Sequence, residues 1–300
     1  MLAIIIPFYK LTFFEATLES LANQTDKRFN VYIGDDQSPE DPIGLIEKYT
    51  GKFNVIYHRF ENNLGSISLT QQWERCIELT DNEKWLMILG DDDMLGSNVI
   101  EEFYKQYHCF ENVNNVVRYS TMTINSLGES LSVVKMHPKQ EKAPNSLLRK
   151  IKGKNRSSLS EYFFLRSIYA KYGFANYPLA WHSDDHAWSD FSENKDIYSI
   201  NEANLLIRIS DLNISGRKDN LDKKLEATLS FFKDLIKYKR EQFTRSDFLV
   251  LLLTTEIEIK KYRKLKQSEW FFLSNFYITN FQTLPALKFF RRYIISIFDQ

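Results

Sequence analysis

The stretch that decides the fold is Trp85-Leu86-Met87-Ile88-Leu89-Gly90-Asp91-Asp92-Asp93, an apolar run that ends on three consecutive carboxylates. Its apolar part is short and continuous, which predicts a buried strand. Open α/β sheets bind ligands beyond the carboxyl ends of their strands, which is where the three Asp residues fall. Because neighbouring like charges repel, the triplet needs a cation or hydrogen-bond donors, and hard ions such as Mg²⁺ or Mn²⁺ prefer oxygen ligands. The alternative is a solvated acidic turn.

The composition fits one large domain, or one domain with an appendage. The chain has 300 residues, is 43% hydrophobic and has a formal net charge of +0, so it lacks the overall basic signature of a nucleic-acid binder. Residues 221–300 carry 15 Lys and Arg against 9 Asp and Glu, so the remainder is acidic by the same margin. Cys76 and Cys109 make no disulfide framework, and no apolar stretch is long enough to span a bilayer. We therefore expect a cytoplasmic protein.

Strand and helix patterns alternate along most of the chain. Apolar runs predict strands at Leu2–Ile6, Val31–Ile33, Val55–Tyr57, Leu86–Leu89, Val116–Tyr119 and Leu205–Ile209. Helix starts are predicted at a capping box of Thr12 and Glu15, at Ser97, and at a second capping box of Ser158 and Glu161 whose helix carries Tyr162, Phe163, Leu165 and Ile168. The alternation predicts a Rossmann-like α/β fold with a mostly parallel sheet flanked by helices. From about Asn220 onward the pattern is helical, which predicts a C-terminal α-helical extension.

Two further acidic pairs accompany the triplet Asp91-Asp92-Asp93. The pair Asp35-Asp36 follows the second predicted strand, and parallel strands end at one edge of a sheet, so both clusters should share a crevice. The pair Asp184-Asp185 lies between two Trp and two His residues in the segment Ala180–Trp188. Adjacent carboxylates near an apolar wall raise one pKa, which suits a general base. The alternative is a helix N-terminus decorated with acids.

Two segments allow two interpretations each. Lys135–Arg156 contains Pro138, Pro144, Gly153 and many cations, which predicts a mobile solvated loop, or else a lid that contacts an anionic ligand. The C-terminal helices interleave aromatic and basic residues over Trp270–Tyr277 and Lys288–Tyr293. Such helices lie in a membrane interface and attract anionic lipids, or they pack on the catalytic sheet or on a second subunit of a homodimer.

Five motifs in this order resemble the family 2 glycosyltransferases. They are Ile4–Tyr9, with its Pro-x-Tyr turn, Leu18–Thr25, Ile33–Ser38, Asn62–Gly65 and Leu89–Asp93, and the resemblance covers roughly residues 1 to 215. It implies an inverting enzyme of the GT-A fold that uses a nucleotide-diphosphate sugar such as a UDP-sugar. The predicted domains are therefore a catalytic domain at 1–218 and a helical region at 219–300 that contacts a membrane or another subunit.

The resemblance also implies roles for individual residues. Nucleotide-sugar binding falls to Pro7, Phe8, Tyr9, Asp35, Asp36, Asn63, Gly65, Asp91, Asp92 and Arg217, the last as a phosphate clamp or, alternatively, a surface arginine. Asp93 and Asp91 would hold a Mn²⁺ or Mg²⁺ ion. Asp185 would be the general base, beside Asp184. The family's Glu-Asp is Asp-Asp here, which leaves the base open between the two, and Gly90 replaces the family's usual first Asp.

The implied reaction moves the sugar to a hydroxyl of a saccharide or polyprenyl-linked saccharide acceptor in cell-surface polysaccharide synthesis, on the inner face of the plasma membrane. A sugar nucleotidylyltransferase is one alternative, but it needs a Gly-rich basic loop after the first strand, and Phe8–Leu11 is not one. The other is a catalytically silent nucleotide-sugar-binding assembly partner, which the loss of Asp93 or Asp185 would have favoured.

Overall fold

A computed structural model describes residues 2–281 and 284–298. The chain divides into two compact units, Met1–Asn220 and Leu221–Gln300. The first is a helix-flanked sheet and the second contains helices.

The first unit is built on one sheet that contains nine strands in the described residues. They are β1 (Leu2–Phe8), β2 (Phe29–Asp35), β3 (Asn54–Arg59), β4 (Trp85–Ile88), β5 (Met94–Leu95), β6 (Val116–Ile124), β7 (Gln140–Lys142), β8 (Tyr162–Leu165) and β9 (Asp196–Arg208). Their order is β3-β2-β1-β4-β8-β6-β9-β5, with β7 also paired to β9. Every strand predicted from the sequence overlaps one of these.

The directions of the strands determine which strand ends meet at the edge of the sheet that carries the predicted site. Strands β1, β2, β3 and β4 pair in parallel, and β6 pairs in parallel with β9. Strand β8 runs antiparallel to both β4 and β6, while β5 and β7 run antiparallel to β9. Six strands therefore point one way and three the other, which confirms the predicted α/β class with a mixed sheet. The carboxyl ends of β1, β2 and β4 are neighbours at one edge.

Helices cover both faces of this sheet. They are α1 (Phe14–Ala22), α2 (Ile43–Glu47), α3 (Leu69–Ile77), α4 (Val99–Lys105), α5 (Tyr107–Phe110), α6 (Ala143–Ile151), α7 (Arg166–Tyr172) and α8 (Ser183–Ser192). Alternate residues of β1 enter two separate cores: Ile4 and Ile6 pack with residues of α1 and α4, whereas Ala3 and Ile5 pack with residues of α3 and α8. A strand buried on both faces has the continuous apolar sequence that predicted it.

Two of the predicted helix caps are wrong. Helix α1 is preceded by Phe13 without a side-chain cap, and the Glu15 carboxylate instead accepts a hydrogen bond from Lys48 at 3.2 Å. The residue before α4 is Asn98 rather than Ser97, whose carbonyl accepts a hydrogen bond from the backbone N–H of Thr25. Neither helix therefore begins at the side-chain cap that the sequence predicts for it.

The helix predicted to open at Ser158 and Glu161 is also wrong, because Tyr162–Leu165 forms strand β8 between β4 and β6. Ser158 does donate a hydrogen bond to Glu161 at 3.1 Å, but that bond closes a single 3₁₀ turn. Four successive large apolar residues expose no polar face, so they fill a position in the middle of the sheet, and the helix begins only at Arg166.

The loop predicted for Lys135–Arg156 is wrong as well, since the segment contains β7 and α6. Pro144 lies in the first turn of α6, where its missing N–H has no intrahelical partner to lose. Gly153 follows the helix end with φ of 66°, a left-handed conformation that glycine adopts readily. The two residues interpreted as loop markers are thus the boundaries of a helix.

The second unit contains α9 (Leu221–Tyr238), α10 (Arg245–Lys260), α11 (Gln267–Asn280) and α12 (Leu284–Phe298). Trp270, Tyr277 and Phe289 are buried in it, and the Phe289 ring stacks on Tyr277 with centroids 4.3 Å apart. Part of the predicted aromatic stripe is therefore core. No helix in the described ranges combines the length and apolar character needed to cross a bilayer.

Candidate active site

The acids at the end of β2 are held by the protein's own donors. Asp35 is fully buried: its Oδ2 accepts from the Tyr57 hydroxyl at 2.6 Å and forms a salt bridge with Arg59 at 2.7 Å, and its Oδ1 accepts from the Ser38 N–H at 2.7 Å. A surface pocket of about 370 Å³ beside it is lined by Ser38, Pro39, Glu40, Asp41, Ile43, Tyr57 and Arg59. The carboxylate of Asp35 therefore lies behind the wall of this pocket.

Asp36 positions the turn that follows β3. Its two oxygens accept from the N–H groups of Leu64 at 2.7 Å and Gly65 at 2.9 Å, and Arg75 forms a salt bridge with it. A Cβ on Gly65 would lie 2.5 Å from Asp36 Oδ2, so only glycine allows this approach. Asn63 stabilises the same turn by accepting from the Ser66 N–H at 2.9 Å. The predicted binding residues Asp36, Asn63 and Gly65 thus form one connected structure.

The end of β1 connects to the acidic triplet. Phe8 is buried against Phe14, with ring centroids 4.6 Å apart, so its side chain belongs to the core. Pro7 is half-buried, and Tyr9 is exposed. The backbone N–H groups of Tyr9 and Lys10 both donate to Asp91 Oδ2, at 2.9 and 3.0 Å. Asp91 therefore fixes the turn predicted to line the nucleotide site.

The other two members of the triplet have different surroundings. Asp93 is buried: its Oδ1 accepts from the Arg208 N–H at 2.9 Å and its Oδ2 from the Ser160 hydroxyl at 2.6 Å. Asp92 is half-buried and accepts from the Asn213 side chain at 3.1 Å. The Ser160 oxygen also accepts from the Gly90 N–H at 3.1 Å. A Cβ on Gly90 would lie 2.8 Å from Asp92 Oδ1, so a larger residue there would displace the Asp92 carboxylate.

The triplet has an unbalanced charge. Within residues 2–281 and 284–298, the structure shows no salt bridge to Asp91, Asp92 or Asp93. Burial, and next the charge of Asp92, raise the pKa of Asp91 to about 6 and that of Asp93 to about 7. Burial also raises the pKa of Asp92. A cation placed here would restore all three to the ionised form.

Asp185, at the start of α8, is held by Lys150 and His182. Its oxygens accept from Lys150 Nζ at 2.6 and 2.7 Å, and its Oδ2 lies 2.8 Å from His182 Nδ1. Burial favours the protonated form of Asp185, but Lys150 and His182 outweigh it and lower the pKa to about 2. Lys150 lies in α6, the segment predicted to be a loop. The segment before α8 includes left-handed residues Leu179, Ala180 and His182.

Asp184 contrasts with its neighbour. It is half-buried, and the described part of the chain shows no salt bridge to its carboxylate. Burial, and next the charge of Asp185, raise the pKa of Asp184 to about 6. Asp184 is therefore the member of the pair that can exchange a proton near neutral pH.

The clusters share neighbouring structural elements. Ser160 contacts Asp93, and the carbonyl of Ser157 accepts from Lys150, which in turn holds Asp185. At the other side the Ser38 hydroxyl donates to the Tyr9 carbonyl at 2.7 Å, which ties the ends of β2 and β1. A chain of direct contacts and short segments therefore connects the three predicted acidic clusters.

Arg217, the predicted phosphate clamp, forms a salt bridge with an acid in its own segment. Its guanidinium is exposed and pairs with Asp219, two residues further along the chain. The phosphate clamp stays a prediction, since that exposed pair leaves the side chain accessible to solvent.

The triplet fits a divalent ion that is completed by a ligand. In the described ranges no three His, Cys, Asp or Glu side chains converge to enclose a metal. Mg²⁺ commonly takes only one or two carboxylates and completes its shell with substrate phosphates and water. Asp91 and Asp92 each keep one oxygen, Oδ1, without a hydrogen-bond donor in the described residues, whereas both oxygens of Asp93 have one.

Several residues that build this site were not predicted individually from the sequence. They are Lys150, Ser160, Arg208 and Asn213, each of which contacts a predicted acid from a distant part of the chain. Two signals in the sequence indicated an anionic partner near them: the basic character of the segment around Lys150, and the stretch from Arg208 to Arg217, which was predicted to form a loop over the diphosphate.

Comparison with known proteins identifies the family. Residues 3–171 match the model of glycosyl transferase family 2, more than half of the chain. The chain belongs to this family. Among solved structures, TarS 1–349 of S. aureus in complex with UDP-GlcNAc matches with a TM-score of 0.64 and 16% identity, over 94% of this chain and 80% of that one. S. aureus TarS matches with a TM-score of 0.60 and 15% identity, over 94% of this chain and 48% of that one.

These structural likenesses confirm the GT-A fold class of the glycosyltransferase. No curated protein sequence matches the chain.

Proposed function

We propose that this glycosyltransferase moves a sugar from a nucleotide-diphosphate sugar, of the UDP-sugar class, to an acceptor hydroxyl with inversion at the anomeric carbon. The observation that carries the proposal is a set of site acids to which the described residues make no salt bridge, Asp91, Asp92, Asp93 and Asp184, beside acids that the protein itself neutralises. Two of the similar TarS structures contain UDP-GlcNAc and UDP, which supports a uridine nucleotide.

The donor would bind at the ends of β1, β2 and β4. The backbone turn at Tyr9 and Lys10, fixed by Asp91, would face the nucleoside, and the turn at Asn63 and Gly65 would support it. A divalent ion would be held by the Oδ1 atoms of Asp91 and Asp92, with Asp93 positioning the loop through Ser160 and Arg208. When bound, that ion supplies a positive charge to the diphosphate leaving group.

We assign the general base to Asp184. Its carboxylate would take the proton of the acceptor hydroxyl while that oxygen forms a bond to the anomeric carbon. The bond from that carbon to the diphosphate oxygen breaks, and the nucleoside diphosphate leaves with the electron pair. Asp185, ionised beside Lys150, raises the basicity of Asp184 and stays charged throughout.

We propose a saccharide as the acceptor. A hydroxyl of a saccharide, free or linked to a polyprenyl carrier, fits a glycosyltransferase of cell-surface polysaccharide synthesis. A silent binding partner is disfavoured, because such a protein does not need an Asp184 that has a raised pKa and no salt bridge in the described residues, beside a buried Asp185 held by Lys150.

The deciding experiment is a panel of nucleotide sugars incubated with the protein and Mn²⁺ or Mg²⁺. We expect release of free nucleotide from one UDP-sugar, transfer to a saccharide acceptor, and an inverted anomeric signal in the product by NMR. EDTA should abolish release. Retention of configuration would contradict a single displacement, and full activity in excess EDTA would contradict the metal. Donor binding without release in every combination would favour the silent partner.

A further inference from the structure

The outward face of α12 is apolar. Its exposed large apolar side chains are Leu284, Leu287, Ile294, Ile295, Ile297 and Phe298, of which Leu287 is 69% and Phe298 81% exposed. At 3.6 residues per turn all of these positions except Ile297 fall within one arc of the helix, and Lys288 and Arg291 lie in the same arc. An apolar face of this length on a solvent-exposed surface indicates an interaction site.

The opposite face of α12 already has its partners. Phe289 is buried against Tyr277 and Trp270, and Tyr293 also packs against Trp270 with ring centroids 5.3 Å apart. Arg292 donates to the buried Glu256 at 2.7 and 2.9 Å. The helix is therefore docked in its own unit, and the outward apolar face is not needed for that packing.

The charges on α12 favour an anionic lipid surface over a second copy of the chain as its partner. Between 284 and 298 the charged residues are Lys288, Arg291 and Arg292, with no Asp or Glu. Because Glu256 neutralises Arg292, two cations remain on the outward face. In a two-fold symmetric dimer a face meets its own copy, which would bring these cations together. An anionic lipid surface instead attracts them while it takes up the apolar side chains.

We propose that α12 docks the protein on an anionic membrane surface, with Leu287, Ile294 and Phe298 inserted below the headgroups and Lys288 and Arg291 among them. This inference does not depend on the transfer reaction, which is assigned to the other unit. Membrane docking would place a glycosyltransferase where lipid-linked acceptors lie.

The test is co-sedimentation of the full chain with vesicles of phosphatidylcholine alone or mixed with phosphatidylglycerol. We expect binding to the anionic vesicles only. The double variant Lys288→Gln/Arg291→Gln should bind more weakly by about fivefold for each lost charge. The double variant Leu287→Ser/Phe298→Ser should lose most binding. The controls are Lys223→Gln and Ile257→Ser, exposed residues on α9 and α10 that should bind like the wild type.

Each variant is also checked for its thermal unfolding midpoint, molar mass in solution and transfer to a soluble acceptor, all of which should match the wild type. No binding, or equal binding to both vesicles, would overturn the proposal. A wild-type dimer that the Leu287→Ser/Phe298→Ser variant dissociates would assign the face to a second copy. A failure of transfer with intact vesicle binding would contradict the proposed function alone.

Discussion

The end of β2 and the end of β4 each carry consecutive aspartates, yet the protein treats them oppositely. At β2, Asp35 pairs with Arg59 and Asp36 with Arg75, so both charges are balanced inside the protein. At β4, where the described residues make no salt bridge to Asp91, burial and next the charge of Asp92 raise the pKa of Asp91 to about 6. The aspartates that follow β2 therefore stabilise the fold, whereas those that follow β4 can bind a cationic ligand.

Helix α8 repeats this contrast within one pair of neighbours. Asp185 is held by Lys150 and His182, whereas Asp184 has no salt bridge in the described residues. The sequence motif identifies both Asp184 and Asp185 as site acids. The salt bridge between Lys150 and Asp185 is what separates their roles. Replacing an acid that has an internal cationic partner should therefore lower the free energy of unfolding. Replacing an acid that has none should instead lower the rate of transfer.

The sharpest test of this contrast is Asp184→Asn, which should lower transfer by about 10³-fold because Asn cannot accept the proton. Donor binding and the unfolding midpoint should stay near wild type. Asp185→Asn should instead lower the free energy of unfolding by about 3 kcal/mol, since it leaves Lys150 unpaired. Transfer rates, donor titrations and urea melts of both variants decide. A stable Asp185→Asn protein with no transfer would return the base to Asp185.

The β2 end is tested by Asp36→Ala. Loss of this carboxylate leaves Arg75 and the amides of Leu64 and Gly65 without their acceptor, so the free energy of unfolding should fall by about 3 kcal/mol. Urea denaturation measures this change. A variant of wild-type stability that no longer binds the donor would make Asp36 a ligand of the nucleotide and break the comparison.

The β4 end is tested by Asp92→Ala, which should lower transfer by about 10²-fold and raise the metal concentration needed for half-maximal rate. Folding should survive, because one of three repelling charges is removed. Asp93→Ala is the informative companion: it too should lose activity, but with an unchanged metal requirement, since its oxygens bind Ser160 and Arg208. The reverse result would make Asp93 the metal ligand, as the sequence motif predicts.

The pH dependence of stability gives a further test. Asp91 and Asp93 have folded-state pKa values of about 6 and about 7, above the value of about 4 for an unfolded Asp, so the folded state binds more protons between these limits. The free energy of unfolding should therefore fall by about 4 kcal/mol as the pH rises from 5 to 8. Mg²⁺ should reduce the fall, and Asp92→Asn should make it smaller, because the charge of Asp92 is the second cause of both raised pKa values after burial. Stability that rises over this range would contradict the unbalanced triplet.

The smallest expected effect is that of Ser160→Ala. The Ser160 hydroxyl joins the Gly90 N–H to Asp93, so its loss should loosen the triplet and lower transfer by about tenfold, near the free energy of one buried hydrogen bond. Ser160→Thr, which keeps the hydroxyl, should recover part of the rate. Equal rates for all three proteins would remove Ser160 from the support of the triplet.

The sequence predicts the frame of the fold well, because its signals are local. Continuous apolar runs such as Trp85–Leu89 bury both faces of a strand and need no distant information. It fails at Tyr162–Leu165, where a local Ser158–Glu161 bond is real but the strand is fixed by β4 and β6 on either side. It fails again at α6, whose Pro and Gly mark helix ends as readily as a loop.

The site shows the same limit. Motifs locate Asp91, Asp92, Asp184 and Asp185, but they carry no information on which carboxylate meets a cation. Lys150 approaches Asp185 from 35 positions away, so only the folded chain separates the two neighbours.

The left-handed residues before α8 have a consequence for any attempt to make this enzyme more heat-resistant. Ala180 is held at φ of 51°, next to Leu179 at 59°. Glycine tolerates such angles without the steric cost that alanine bears, so Ala180→Gly relieves a strained backbone with almost no loss of side-chain packing. It also loosens the segment that aims Asp184. Variants selected only for heat resistance would therefore be enriched in glycine at position 180, and their rate of transfer would be lower.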